Sequence, residues 1–254
     1  MSVCVFGSLS LDIAPRLPER AHGGQTLLVD NRTEVVGGRG PNQAIASARF
    51  GAVTAMAGAD RLALAAHGLE AVGPDTRVLL CQMETDIAAI ATLFRSKEAA
   101  SVRKIIRAAP AVAQGAELFD LADMLIFNQS QFASFLGLDR EPETVEDLYV
   151  ARRLLTKPNQ AVVVTLGPTG SSAIWEDRAI FVPAFTVDAV TDTSGAGDCF
   201  CGVVAACVDL GIGPEDALRF ANAAAALFVQ AHGAAPSIPH RAEIDSFLEA
   251  AIPR

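Results

Sequence analysis

Three short runs, at residues 78–81 (VLLC), 124–127 (MLIF) and 161–166 (AVVVTL), are apolar at nearly every position instead of every second one. A strand that is apolar on both faces must be covered on both, as in a parallel sheet with helices above and below. Further strand-like runs follow the same rhythm: SVCVFGS (2–8), VTAMAG (53–58), VRKIIRA (102–108), SAIWE (172–176) and AIFVPAF (179–185). Helical stretches separate many of them, among them NQAIASARFG (42–51), DIAAIATLFRS (86–96), VEDLYVARRLLTK (145–157) and a long tail from 198. This alternation predicts an α/β chain in three layers, with a mostly parallel central sheet. With 254 residues, 51% of them hydrophobic, there is material for one large core, and a single α/β domain over 1–254 is expected.

One segment breaks the pattern. Residues 13–36, IAPRLPERAHGGQTLLVDNRTEVV, open with a Pro-rich charged turn and then alternate polar with apolar, which suits an exposed β ribbon acting as a flap. The stretch 137–147, GLDREPETVED, reads as a loop between helices.

Charge and cysteine use exclude several functions. A net charge of −9, from 20 Lys and Arg against 29 acids, leaves no material for a basic face, so nonspecific nucleic-acid binding is not expected. Cys4, Cys81, Cys199, Cys201 and Cys207 are scattered in apolar contexts, and the four histidines form no cluster, which points to packed, reduced thiols in a cytoplasmic protein and to no zinc site. The apolar stretches near 201–212 and 216–231 are interrupted by Asp209, Gly211 and Gly213, well short of the roughly 20 apolar residues that span a bilayer, and no targeting segment is read at the start.

Residues 191–200, TDTSGAGDCF, lie where strand gives way to helix. Gly195, Ala196 and Gly197 open the helix, and the first amides of a helix lack intrahelical acceptors, so they can converge on a phosphate. Asp198 sits in the same first turn, where the helix dipole favours its ionised form and a carboxylate can take the proton of an attacking hydroxyl. Acids in first turns are common for dipole reasons alone, so this string needs company. No GxxxxGKS/T motif is present and GSLSLD lacks GxGxxG, which excludes a Walker-type NTPase and a Rossmann dehydrogenase.

The company lies near the amino end. Asp12 follows the first strand, and VGGRGPNQA (36–44) is a second glycine-rich turn feeding a helix; at the carboxyl ends of parallel strands such groups line a ligand crevice. Asp12, GGRGPNQA, DTSGAGD and the tail RFANAAAALFVQAHGAAPSIPHRAEIDSFL (219–248) together resemble the ribokinase-like (PfkB-type) family of small-molecule kinases. The resemblance implies a ribokinase-like fold and transfer of phosphate from ATP, with Mg2+, to a hydroxyl of a sugar or nucleoside. It implies Asp198 as the base and Gly195, Ala196 and Gly197 as the anion hole. Asp12, Gly38, Arg39 and Asn42 fall on the substrate side, and Thr165, Gly167, Gly170 and Asn222 on the nucleotide side. Asp192, Ser194, Gly233 and Ser237 match the loops that hold a monovalent cation, K+ in ribokinases.

Three departures stand out. Gln131 replaces the acid of the family's NxxE motif, leaving an amide to hydrogen-bond a magnesium-bound water without contributing charge. Arg39 stands where a lysine is usual, a fork in place of a point charge. Between 73 and 74 the family's central stretch, including the rest of its β lid, has no counterpart, so the lid reduces to the ribbon at 13–36. An unpaired ribbon edge predicts a homodimer. A second reading is a weak or inactive family member that binds nucleotide or metabolite as a sensor or subunit.

Overall fold

The computed structural model describes residues 2–15, 32–58 and 72–251, with the backbone alone at 11–15 and 32–36. Six parallel strands form the body of one sheet: β1 (Val3–Gly7), β4 (Thr54–Gly58), β5 (Val78–Gln82), β6 (Arg103–Arg107), β7 (Met124–Asn128) and β8 (Ala161–Thr165). Two antiparallel strands, β9 (Gly170–Ile174) and β10 (Ala179–Pro183), complete one edge, giving the order β10-β9-β8-β7-β6-β5-β1-β4.

The two-sided apolar runs divide their side chains between two cores. Val78, Leu80, Ile105, Ile126 and Val163 face one layer, while Leu79, Cys81, Ile106, Leu125, Phe127, Val162 and Val164 face the other. The first layer is built from α1 (Arg39–Phe50), α4 (Ala196–Asp209), α5 (Pro214–Phe228) and α7 (Arg241–Ala250). The second holds α2 (Ile87–Arg95), α3 (Gln129–Leu136) and 3-10 turns. A period of two along each strand, with both faces apolar, therefore yields three layers.

Local chemistry sets the ends of these helices. The Asp86 side chain accepts from the amides of Ala88 and Ala89 to start α2, and Asn128 with Gln131 forms a capping box at α3. Gly213 and Pro214 open α5 with Glu215 and Asp216 in its first turn. The 145–157 stretch, expected as a helix, forms 3-10 turns over Glu146–Leu154, whose buried residues Leu148, Ala151 and Leu154 recur at the three-residue spacing of a 3-10 helix. The strand expected over 179–185 ends at Pro183.

The ribbon is present as a separate two-stranded antiparallel sheet, β2 (Ser10–Pro15) with β3 (Arg32–Gly37), joining β1 to α1. Its tip at 16–31 and the segment 59–71 lie outside the described residues. The chain leaves β1 toward β4 on one side and β5 toward β6 on the other, so adjacent β1 and β5 mark the point where strand order reverses. Among the described residues no helix is long and apolar enough to cross a membrane.

Candidate active site

The strand ends above the reversal point are polar although the strands beneath them are not. Gly7, Gln82, Arg107, Asn128 and Thr165 form this rim, with Gln82 opposite Arg107 and Asn128 opposite Thr165 in register. Helices α1 and α4 bring their N-termini to the same rim.

Gly195 begins α4 with φ of 108°, in the region that favours glycine, and a Cβ there would stand 2.9 Å from Phe228 and 3.5 Å from the Asn42 amide nitrogen. Further along, a Cβ on Gly202 would collide with the Gln43 backbone carbonyl, so the missing side chain lets α4 lie directly on α1. That close approach delivers Gln43, whose Nε2 donates to Asp198 Oδ1 at 3.0 Å. The Gln82 amide in turn donates to Gln43 Oε1 at 2.5 Å, and a Cβ on Gly7 would strike the Gln82 side chain. Strand β5, helix α1 and helix α4 are thus joined by side-chain amides that end on one carboxylate.

Asp198 is 7% exposed. Burial pushes its carboxyl above the usual carboxylate range, while the Gln43 hydrogen bond and the charges of Arg107 and Arg39 pull it back. A carboxylate with a raised proton affinity and a neutral hydrogen-bond donor is suited to accept a proton.

The three amides expected as the anion hole are not equivalent. Ala196 donates its N–H to the Thr193 carbonyl at 3.2 Å, closing the turn before α4. Among the described residues the amides of Gly195 and Gly197 have no acceptor, so the anion-binding capacity of this helix end rests on those two.

The substrate-side positions gather around α1. Gly38 precedes the helix with φ of 99° and packs against Ser8 and Ser10. Asn42 is buried, and its Oδ1 has no hydrogen-bond partner among the described residues. Arg39 donates from Nε to Glu84 Oε1 at 2.8 Å, and Glu84 also accepts from the Ser8 hydroxyl, so this fork is anchored by an acid beyond β5. The Asp12 backbone pairs with Val35 in the ribbon, and its side chain lies outside what is described.

On the nucleotide side, Thr165 ends β8, Gly167 (φ 55°) begins the following 3-10 turn, and Gly170 (φ 135°) starts β9 against the backbone of β10. Asn222 has its polar atoms engaged within the fold. Its Oδ1 accepts from Ser171 Oγ at 2.9 Å and its Nδ2 donates to the carbonyls of Val182 and Pro183, so its polar atoms clamp α5 to the sheet edge instead of reaching a ligand.

Asp192 accepts from the Ser194 amide at 2.8 Å, and bonds to Ser194 and the Gly233 backbone hold its carboxyl below the ordinary range. Gly233 precedes α6 (Ala234–Ser237), and Ser237 Oγ is buried without a partner among the described residues. The two loops expected to hold a cation therefore meet where the Gly233 backbone bonds to Asp192.

Gln131 does not fit the magnesium role. Its Oε1 accepts from Arg107 Nη1 at 2.7 Å and from the Asn128 amide at 3.0 Å, so both lone pairs are taken. Among the described residues no group of three or more His, Cys, Asp or Glu is placed to hold a metal.

The sequence reading passed over Gln43, Gln82, Glu84 and Arg107. Three of these had a visible signal: Gln82 and Arg107 are the polar last residues of buried strands, and Gln43 sits inside the second glycine-rich turn.

Comparison with known proteins agrees with this geometry. The profile of the pfkB family carbohydrate kinases matches residues 68–241. The ribokinase of Bacillus subtilis is 28% identical over 97% of this chain and 99% of its own length, and that of Haemophilus influenzae is 26% identical over 98% of each. The Bacillus alignment runs to 301 positions against 254 residues here, so the relative carries segments with no counterpart in this chain. Among solved structures, Thermotoga maritima ribokinase superposes with a TM-score of 0.78 at 23% identity, covering 98% of this chain and 99% of its own. Arabidopsis thaliana ribokinase, solved with ribose and ATP, gives 0.78 at 24% identity over 98% of both chains. A three-layer sheet, a buried acid at a glycine-opened helix and a family profile over most of the chain lead to one assignment: this protein is a member of the pfkB family of carbohydrate kinases, a phosphotransferase of the ribokinase-like fold.

Proposed function

We propose that this chain transfers the terminal phosphoryl group of ATP to a hydroxyl of D-ribose. The observation that carries the reading is Asp198, buried and held by Gln43 beside the acceptor-free amides of Gly195 and Gly197. The sugar oxygen attacks the γ-phosphorus, the bond from that phosphorus to the β–γ bridging oxygen breaks, and the hydroxyl proton passes to Asp198. ADP and the sugar phosphate leave. The two amides face the migrating phosphoryl group, where preorganised donors are most effective.

Asn42, with an unpartnered oxygen, and Gly38 would hold sugar hydroxyls together with Asp12, and the Arg39–Glu84 pair walls the pocket. Thr165, Gly167 and Gly170 offer backbone to the nucleotide. Magnesium would arrive on the nucleotide's phosphates, neutralising their charge. A K+ ion would fit between Asp192, Ser194, Gly233 and Ser237, where it adds positive charge near the α4 terminus. The reading takes 1–254 as one domain, working in the cytoplasm and pairing as a homodimer through the open edge of the β2–β3 ribbon.

The test is ADP release with a panel of pentoses, hexoses and nucleosides. Ribose is expected to give the highest kcat/KM. Turnover unchanged in Asp198→Asn overturns the role given to that carboxylate, and no turnover with any acceptor in wild type or variant while ATP still binds overturns the kinase reading in favour of a sensor.

A further inference from the structure

Arg107 is the last residue of β6, is 5% exposed, and has no carboxylate partner among the described residues. One guanidinium nitrogen, Nη1, donates to Gln131 Oε1; Nε has no partner among the described residues; Nη2 lies 3.1 Å from where a Gly197 Cβ would stand. A buried cation without a paired anion is costly, and an unmet donor on it adds to that cost. Asp198, an acid that feels this charge, takes its hydrogen bond from Gln43, and Arg107 acts on it through its field. Arg39, the other cation acting on Asp198, is already paired with Glu84.

The identity of residue 131 decides what this charge is free to do. A carboxylate there would neutralise the guanidinium. The glutamine holds it in place through one neutral hydrogen bond and leaves it without a bonded carboxylate beside Gly197. A planar fork of donors next to the acceptor-free amides of a helix end is a site for a tetrahedral oxyanion.

We infer that Arg107 is a phosphoryl-binding residue, gripping the transferred group from the β6 side while the Gly195 and Gly197 amides grip it from α4. Gln131 is then its positioning residue, kept neutral so that the charge remains available. This rests on the phosphotransfer reading for its catalytic meaning, but the anion site stands on geometry alone and is tested separately.

The first experiment uses inorganic phosphate as the probe. Thermal melts of the full chain are followed against phosphate at constant ionic strength for wild type, Arg107→Gln, Arg107→Lys and Gln131→Glu. Wild type is expected to be stabilised by phosphate. Arg107→Gln and Gln131→Glu should need at least about tenfold more phosphate for the same shift, since the first removes one charge-assisted contact and the second neutralises the cation that makes it, with Arg107→Lys between. If Arg107→Gln fails to fold, Gln131→Glu carries the test, because it keeps the guanidinium and strengthens its anchor. A purely structural arginine predicts that Gln131→Glu binds phosphate like wild type. That result, tighter binding in Gln131→Glu, or no phosphate stabilisation of wild type, overturns the inference.

The second experiment measures turnover with ATP and ribose. Arg107→Gln should lower kcat about a hundredfold, as loss of one oxyanion donor does, with the KM for ribose little changed. A rise in kcat for Gln131→Glu would show that a carboxylate is wanted there and would also overturn it. Absence of wild-type turnover with every sugar sinks the kinase reading and leaves the phosphate result standing.

Discussion

Helix α4 carries a buried aspartate at each end, and the two are treated differently. Asp209, in the last turn, is 7% exposed, accepts from Ser2 Oγ at 2.8 Å and pairs with Arg77 Nε at 2.9 Å, one donor for each carboxylate oxygen. Asp198, in the first turn, is equally buried, yet its recorded hydrogen bond is from one neutral amide. The dipole disfavours a negative charge at a helix C-terminus, so Asp209 needs its cation, while Asp198 has the favourable end and is left under-satisfied. A buried acid completed by its surroundings holds structure together; one left incomplete at a glycine turn is available to a ligand.

Exchanging these acids breaks or sharpens that contrast. Asp198→Asn should lower kcat by about a thousandfold or more, as loss of a general base does. The same variant should melt at or above the wild-type temperature at pH 8. The sign follows from the raised proton affinity of the folded state: the native chain holds the proton more tightly than the unfolded one, so wild-type stability falls as pH rises from the ordinary carboxylate range through the folded value. The amide has no such loss, and the gap should close as pH drops below about 4. A melting curve for Asp198→Asn parallel to wild type across pH would remove the contrast.

Asp209→Ala should do the reverse, costing about 1–3 kcal/mol of stability in denaturant titration by unpairing Ser2 and Arg77, with kcat retained in the folded fraction. Gly202→Ala joins the two effects. Its methyl group meets the Gln43 carbonyl, so α4 must shift from α1, costing about 1–3 kcal/mol and lowering kcat through the Gln43–Asp198 bond. The smallest expected change is chemical. Burial pushes the Cys4 thiol up to about 11, those of Cys201 and Cys207 up to about 12, and raises Cys81 and Cys199 strongly. A thiol reagent at pH 8 should therefore label none of the five in the native chain, and labelling of Cys199 or Cys201 without unfolding would show that α4 opens.

Much of the fold was legible because burial on two faces writes itself into composition: runs such as VLLC and MLIF admit few neighbours but a parallel sheet between helices. The TSGAGD turn was legible because glycine at positive φ before an acid has a limited set of uses. Three expected site positions share a feature. Asn222, Ala196 and Gln131 matched motif positions, but each has its polar atoms engaged by partners distant in sequence or by its own turn, such as Ser171 and Pro183 for Asn222 and Arg107 for Gln131. A motif names a residue type; it does not report whether the residue's hydrogen bonds are already made.

The amino-acid sequence by itself determined the layers, the strand ends and the helix that begins in glycine, because these follow from periodicity, backbone freedom and capping within a few residues. Only the tertiary structure decided that Gln43 holds Asp198, that Glu84 anchors Arg39 and that Arg107 turns its charge toward Gly197. Those pairings span 155, 45 and 90 positions, and the close approach of α4 to α1 that creates the first exists only once both helices lie on the same face of the finished sheet.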